Sequence, residues 1–286
     1  MKFAIVVDST CDFTQEEYEN LNIHMIPLSV LVDGETFKDQ TEISSEEFYE
    51  RMATAENLPQ SSQPTPYEFE QLFNSLSEQG YDGVISMHIA GVLSGTIESA
   101  RIAAKDSSID VRVVDAMRAG ATASMALVVE QICKMRDEGA TLDEAEAKAK
   151  ELFDKAEFLV APETLENLLK GGRLSADQVK NASLLNIKPI FSFNEKGILM
   201  AYGKAKGMRG VIKTFVGEVE KRTTEQGTLR LRFCHSGNIK PIEDMKQALG
   251  DANIEYVDGG ICPCGAIIAT HLGPGALGVG ILPANC

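Results

Sequence analysis

Ser94 stands in Gly91-Val-Leu-Ser-Gly-Thr-Ile-Glu-Ser-Ala100, between the apolar run Gly83 to Ile89 and an Ala-rich stretch with helical spacing. A serine there has two chemistries open to it: nucleophilic attack, or a hydrogen bond to an anion that does not react. The nucleophile elbow has the order G-x-S-x-G, whereas two residues separate Gly91 from Ser94, so the elbow is not matched. A strand ending near Ile89 and a helix beginning near Ser94 or Gly95 would place free backbone N–H groups and the positive helix end at the carboxyl edge of a sheet. That is an anion site, and Gly95 would let a ligand approach the backbone closely. A plain helix cap is the other role open to Ser94.

Asp8-Ser9-Thr10 follows a first apolar strand and should reach the same sheet edge. A phosphatase-like carboxylate pair would need an acid where Thr10 stands, so Asp8 either meets a ligand or organises neighbouring loop amides. Pro59-Gln-Ser-Ser-Gln-Pro-Thr-Pro66 carries three prolines in eight residues, a stiff loop able to hold hydroxyls in place. His271 precedes the Gly273-Pro-Gly275 turn, and Arg173 and the Lys204, Lys206, Arg209 group are basic exceptions in an acidic chain. Three functions fit these groups: a carrier that binds an anionic ligand, a hydrolase using Ser94, His271 and Asp8 or Asp115, and a sensor or carrier of another small anion. Cys262-Pro-Cys264 lacks a second cluster of ligand residues, which makes it a poor metal motif, and no metal or other cofactor is expected.

The elements that must position these groups divide the chain. Lys2 to Val7 reads as a strand, Thr14 to Glu17 as a capping box, Ile23 to Val32 as a strand, and Ser44 to Glu47 as the start of a short helix. Thr65-Pro66 opens a helix to Glu78; strands follow at Gly83 to Ile89 and Val111 to Val114, then helices over Ala119 to Glu138 and from Thr141 to Lys155. This alternation predicts an α/β domain over residues 1–155 with a mostly parallel sheet covered by helices. Beyond it, Phe158 to Ala161 is strand-like, and Ile187 to Phe193, the Asn194 to Gly197 turn and Ile198 to Gly203 form a hairpin. Met208 to Arg222 and Pro241 to Leu249 read as helices, and Leu229 to Cys234, Ile254 to Val257, Ile267 to Leu272 and Ala276 to Leu282 as strands. Residues 156–286 are therefore expected to form a second, α+β domain.

The 286 residues suit two domains of ordinary size, and 44% hydrophobic with 24% charged residues is a globular composition. A formal charge of -15 speaks against nucleic acid or an anionic membrane as partner. The apolar start meets Asp8, Ser9 and Thr10 too soon for a signal peptide, and no segment approaches the roughly 18 to 20 residues needed to span a bilayer. With six scattered cysteines, the expectation is a cytoplasmic protein without an integral membrane segment.

The motifs V-D-S-T (Val7 to Thr10), S-Q-P-x-P (Ser62 to Pro66), L-S-G-T (Leu93 to Thr96), V-V-D (Val113 to Asp115), G-G-R (Gly171 to Arg173), L-L-N-I-K-P-I (Leu184 to Ile190) and H-x-G-P-G-A-L-G (His271 to Gly278) follow one another along nearly the whole chain. In that order they resemble the DegV family of bacterial fatty-acid-binding proteins. The resemblance implies a non-enzymatic carrier holding a long-chain fatty acid, which a separate fatty acid kinase phosphorylates on the carboxylate to give acyl phosphate for phospholipid synthesis. It further implies that Ser61, at a position where the family usually has Thr, holds the carboxylate with Ser94 and the Gly95 and Thr96 region. His271 would complete the hydrogen-bond network, and Arg173 or Arg209 would lie toward the kinase or the ligand entrance.

Overall fold

The structure, a computed structural model, describes residues 2–175 and 186–286. Its first half runs β1 (Phe3–Asp8), α1 (Gln15–Asn20), β2 (Ile23–Ile26), β3 (Ser29–Val32), β4 (Glu35–Lys38), α2 (Ser45–Thr54), β5 (Gln60–Ser62), α3 (Pro66–Glu78), β6 (Gly83–His88), α4 (Thr96–Lys105), β7 (Asp110–Asp115), α5 (Thr122–Asp137) and α6 (Leu142–Lys155). The second runs β8 (Glu157–Ala161), α7 (Glu166–Lys170), β9 (Ile187–Phe193), β10 (Leu199–Lys206), α8 (Gly207–Gln226), β11 (Leu229–His235), α9 (Lys240–Asp251), β12 (Tyr256–Pro263), α10 (Ala266–Leu272) and β13 (Leu277–Pro283). Leu184 and Leu185 of the L-L-N-I-K-P-I motif lie outside the described residues.

The expected α/β architecture is present. A parallel sheet in the order β2-β1-β6-β7 is followed by a mixed sheet, β10-β9-β8-β13-β11-β12. Strand β1 is buried along its whole length, as a run without polar alternation requires when both sheet faces are covered. Phe69, Phe73 and Leu76 of α3 with Ala100 and Ala103 of α4 pack on Ala4, Val6 and Val84. On the opposite face α5 packs against Ile5, Val7 and Ile85. The same helix lies against β13: a side-chain carbon at Gly280 would stand 2.5 Å from Ser124 N, so this glycine permits the approach of helix to strand. The far face of the mixed sheet is covered by α8 and α9, through Phe215, Val219, Ile242 and Met245.

The capping boxes at Thr14/Glu17, Thr65/Glu68 and Thr141/Glu144 form as the sequence predicts, and the hairpin after Ile187 pairs antiparallel. Two expectations are overturned. Ile23 to Val32 is not one strand: the chain breaks at Pro27 and Leu28, β2 joins the parallel sheet, and β3 forms a separate antiparallel sheet with β4 and β5. Ile267 to Leu272 is not a strand but the core of α10. Its start is stabilised from far away: Asp12 Oδ1 accepts from Gly265 N at 2.9 Å and Asp39 Oδ1 from Ala266 N at 2.8 Å, so two distant carboxylates do the work of an N-cap. The small sheet, α2 and α10 then bury Val30, Val32, Phe48, Ile267 and Ala269 together. No helix among the described residues is long and apolar enough to cross a membrane.

Candidate functional site

A cavity of about 360 Å³ lies among β5, the loop before α4, α7, α10 and the inner face of the mixed sheet. Its polar lining is Ser61, Ser62, Gln63, Ser94, Gly95, Thr122, Arg173 and His271; its apolar lining includes Leu28, Ile89, Leu93, Phe158, Val160, Leu168, Phe193, Leu199, Ile268 and Leu272. The volume falls within the roughly 300–1,000 Å³ of sites that enclose a small organic ligand.

The lining is carried by two groups of elements, the mixed sheet on one side and α7, α10 and the loop before α4 on the other. Strand β8 leads from Phe158 past Val160 toward α7, and α7 is fixed to α10 by Asn167 Nδ2 donating to Thr270 O at 2.9 Å. Phe158 and Val160 share a face, so the Phe158 Cα lies about 7 Å further from the α7–α10 end than that of Val160, with its ring leaning back to Gly278 opposite Val160. Because Val160 pairs with Phe191 in antiparallel register, Phe193 falls beside Phe158, and their rings stack with centroids 6.3 Å apart. Ser61 is connected with His271 directly and the Ser94 loop through Arg173 and Gly171, while the Thr122 hydroxyl lies 3.9 Å from Cys262 Sγ.

Ser61 Oγ is 2.9 Å from His271 Nε2. Ser61 is placed by main-chain pairing of β5 with Val30 on β3, and His271 by the last turn of α10. The other ring nitrogen, Nδ1, is buried without a hydrogen-bond partner among the described residues. Burial, reinforced by the charge of Arg173, lowers the His271 pKa to about 4, so the ring is neutral at pH 7. Gly171 makes room for it, since a side-chain carbon at that position would stand 2.5 Å from Nδ1. Arg173 lines the cavity, donates from Nη1 to Gly171 O at 2.7 Å and from Nε to Leu93 O at 3.3 Å, and has its own pKa lowered by burial.

Ser94 Oγ is 2.8 Å from Thr96 Oγ1 and accepts from Thr96 N at 3.3 Å. The N-cap of α4 is Gly95, not Ser94, and has no capping side chain of its own; Ser94 Oγ takes the Thr96 N–H of the opening turn and Gly95 O that of Glu98. Thr96 is fully buried and does not line the cavity; its hydroxyl steadies Ser94. Arg209, exposed in the first turn of α8, lies outside the lining. Sequence reading missed Thr122 as a site member, and also Gln63. Its amide lies so close to Gly95 that a methyl group there would collide with Oε1, and Nε2 donates to Ser99 Oγ at 3.1 Å. The signal was the Gln of S-Q-P, whose length lets it reach across to the L-S-G-T loop.

The triad of the hydrolase reading is not assembled. His271 meets Ser61 rather than Ser94, and Asp115 accepts from Gly91 N and Met117 N. Asp8 organises loop groups, accepting from Thr10 N, Ile89 N and His88 Nδ1. A Ser86–His88–Asp8 array does exist, with Ser86 Oγ 2.6 Å from His88 Nε2, but all three residues are fully buried and beyond reach of a substrate. Cys262 and Cys264 are buried as well, and burial contributes to raising both thiols above their ordinary range. No group of three or more His, Cys, Asp or Glu able to hold a metal occurs among the described residues.

The family model described as an uncharacterised protein of the DegV family matches residues 2–284. A DegV domain-containing protein of Listeria innocua is 35% identical, over 97% of each chain. Two solved structures are similar throughout. One is a DegV family protein from Thermus thermophilus whose title reports fatty acid binding, with TM-score 0.91, 29% identity, and 99% of this chain and 100% of that one covered. The other, from Thermotoga maritima and titled as revealing fatty acid binding function, has TM-score 0.86 and 30% identity over 99% of both chains. With the family model spanning almost every residue and the same fold at this level of identity, the chain belongs to the DegV family.

Proposed function

We propose that the protein is a carrier that encloses a long-chain fatty acid in this cavity, with the carboxylate at the Ser61–His271 end and the acyl tail against the mixed sheet. The observation that carries the reading is one cavity whose lining joins hydroxyls, the start of α4, a neutral imidazole and Arg173 to a larger set of apolar side chains. Fatty acid binding by the Thermus and Thermotoga relatives supports it. A buried carboxylate needs several donors, and Ser61, Ser94, the amide region around Gly95 and His271 supply them, with the Arg173 guanidinium lining the same cavity. The tail supplies the affinity: at ~0.8 kcal/mol per methylene, about fifteen methylenes gain on the order of 10 kcal/mol before association costs.

The bound acid is presented to a fatty acid kinase, which phosphorylates the carboxylate. Support for that step is the family resemblance of the motifs, together with Arg173 at the polar end of the cavity and Arg209 exposed on α8 as cations available to a phosphate-bearing partner. The hypothesis is tested by mass spectrometry of the organic extract from protein purified without added lipid, followed by titration with palmitate and oleate. A fatty acid near one equivalent, or loading to that level, is the expected result; an empty extract with no binding of either acid would falsify the carrier reading. Arg173→Ala and Arg209→Ala should lower acyl phosphate formation more than fatty acid affinity, and unchanged turnover in both would remove the two arginines from the kinase contact.

A further inference from the structure

We infer that the stacked rings of Phe158 and Phe193 form a fixed stop for the end of the acyl tail, each ring seated on a glycine, and that this wall sets the chain length the protein accepts. The inference rests on the carrier reading and adds to it the determinant of specificity.

Both rings line the cavity, on the residue pair of β8 and β9 that lies beyond Val160 and Phe191 from α7, and they stack with planes 17° apart. What distinguishes them from an ordinary aromatic wall is what stands behind them. A side-chain carbon on Gly120 would run into the Phe193 ring, with Cζ at 2.6 Å and Cδ2 at 2.7 Å. Gly120 cannot retreat, because its carbonyl accepts from Ala90 N at 2.9 Å and its N–H donates to Met117 O at 3.0 Å. Its φ of +72° is also a conformation that favours glycine. A side-chain carbon on Gly278 would stand 2.9 Å from Phe158 Cζ and 3.0 Å from Cε2. Gly278 is held in β13, paired with Val160 on one side and Cys234 on the other. Neither ring has slack to move away from a ligand, since each rests on main chain fixed by its own hydrogen bonds. A tail that reaches the wall must fit or bend, because close-packed surroundings of this kind do not yield.

The wall therefore makes two opposite predictions. Phe193→Ala or Phe193→Leu deepens the cavity at its far end and shifts the preferred acid to longer chains. Gly120→Ala pushes the Phe193 ring inward and shifts it to shorter ones. Each methylene admitted or refused changes relative affinity by about fourfold, which is ~0.8 kcal/mol converted at room temperature. The experiment is competition: each protein is loaded from an equimolar mixture of saturated acids of graded length, washed, and its bound acids are quantified by mass spectrometry, with thermal melting recorded alongside. Longer chains in both Phe193 variants, and shorter ones in Gly120→Ala, are expected. Phe193 variants that melt cooperatively and load the same distribution as the parent would overturn the stop, whether or not Gly120→Ala folds. If neither parent nor variant loads any acid, the carrier reading fails and the stop falls with it, an outcome separate from loading with an unshifted profile.

Discussion

Ser61 and His271 share a single 2.9 Å hydrogen bond, and because His271 Nδ1 has no partner among the described residues, that bond is the ring's polar tether. Ser61→Ala removes the hydroxyl while leaving β5 in place, since its pairing with Val30 is made by main chain. Two losses then coincide: a donor to the carboxylate and the restraint on the imidazole. A hydrogen bond to a charged group is worth about 1.5–3 kcal/mol, so Ser61→Ala should weaken fatty acid binding by about 10- to 150-fold. His271→Ala should cost at least as much. The double variant should cost less than the sum, by about 1–2 kcal/mol, because an untethered ring has already surrendered part of its contribution. The assay is displacement of a fluorescent fatty acid by palmitate from the four proteins at pH 7.5. Energies that add to within about 0.5 kcal/mol, or a Ser61→Ala affinity within about twofold of the parent, would refute the shared carboxylate network.

Acidification should reveal two opposing terms. The folded His271 pKa is lowered to about 4, so below pH 6.5 the unfolded chain takes up a proton the folded one refuses, and stability falls by about 3 kcal/mol by pH 4. Asp39, raised to about 6 chiefly by burial, acts in the other direction: the folded state is protonated first, and about 3 kcal/mol is gained as pH falls from 6 through 3.8. Urea melts at pH 6.5 and 4.5 should therefore show Asp39→Asn losing stability and His271→Gln gaining it relative to the parent; three parallel responses would contradict both assignments. Arg232 is buried between Glu17 and Glu130 with its guanidinium also donating to Gly259 O at 2.7 Å. Arg232→Met should cost about 3–5 kcal/mol in a denaturant melt, and a loss under 1 kcal/mol would show the ion pairs to be dispensable. Gly95→Ala should displace the Gln63 amide and its bond to Ser99, costing about 1 kcal/mol. In a Gln63→Ala background Gly95→Ala should cost little further, and an undiminished cost there would place the clash elsewhere.

Elements defined by neighbours in sequence were legible from the residues. The Thr14, Thr65 and Thr141 boxes need only the acid three positions on, and the buried strands β1 and β6 declare themselves as unbroken apolar runs. What was hidden depends on partners far along the chain. Ile267 to Leu272 has two adjacent isoleucines and no local cap, and reads as a strand because nothing nearby reveals that Asp12 and Asp39 hold the helix start. The split at Pro27 was visible, but Ile23 to Ile26 and Ser29 to Val32 are each apolar enough to be joined, and only the sheet pairing shows that they face different neighbours. At the site, the hydroxyls, the helix start and His271 were legible as residue types. Their grouping, Ser61 rather than Ser94 on His271 and Gln63 against Gly95, follows from the small sheet of β3, β4 and β5, two of whose strands are four residues or shorter and polar.

The capping of α10 by Asp12 and Asp39 has a consequence for when the site comes into being. These contacts close loops of 253 and 227 residues, and the Ser61–His271 bond spans 210. Contacts of such sequence separation form only after their loop-closure entropy has been offset by other structure. The imidazole is therefore delivered late, once the beginning and the end of the chain have met, and a nascent or partly folded chain presents hydroxyls and apolar strands but no completed polar end to a fatty acid. Binding competence becomes a report that the whole molecule has folded.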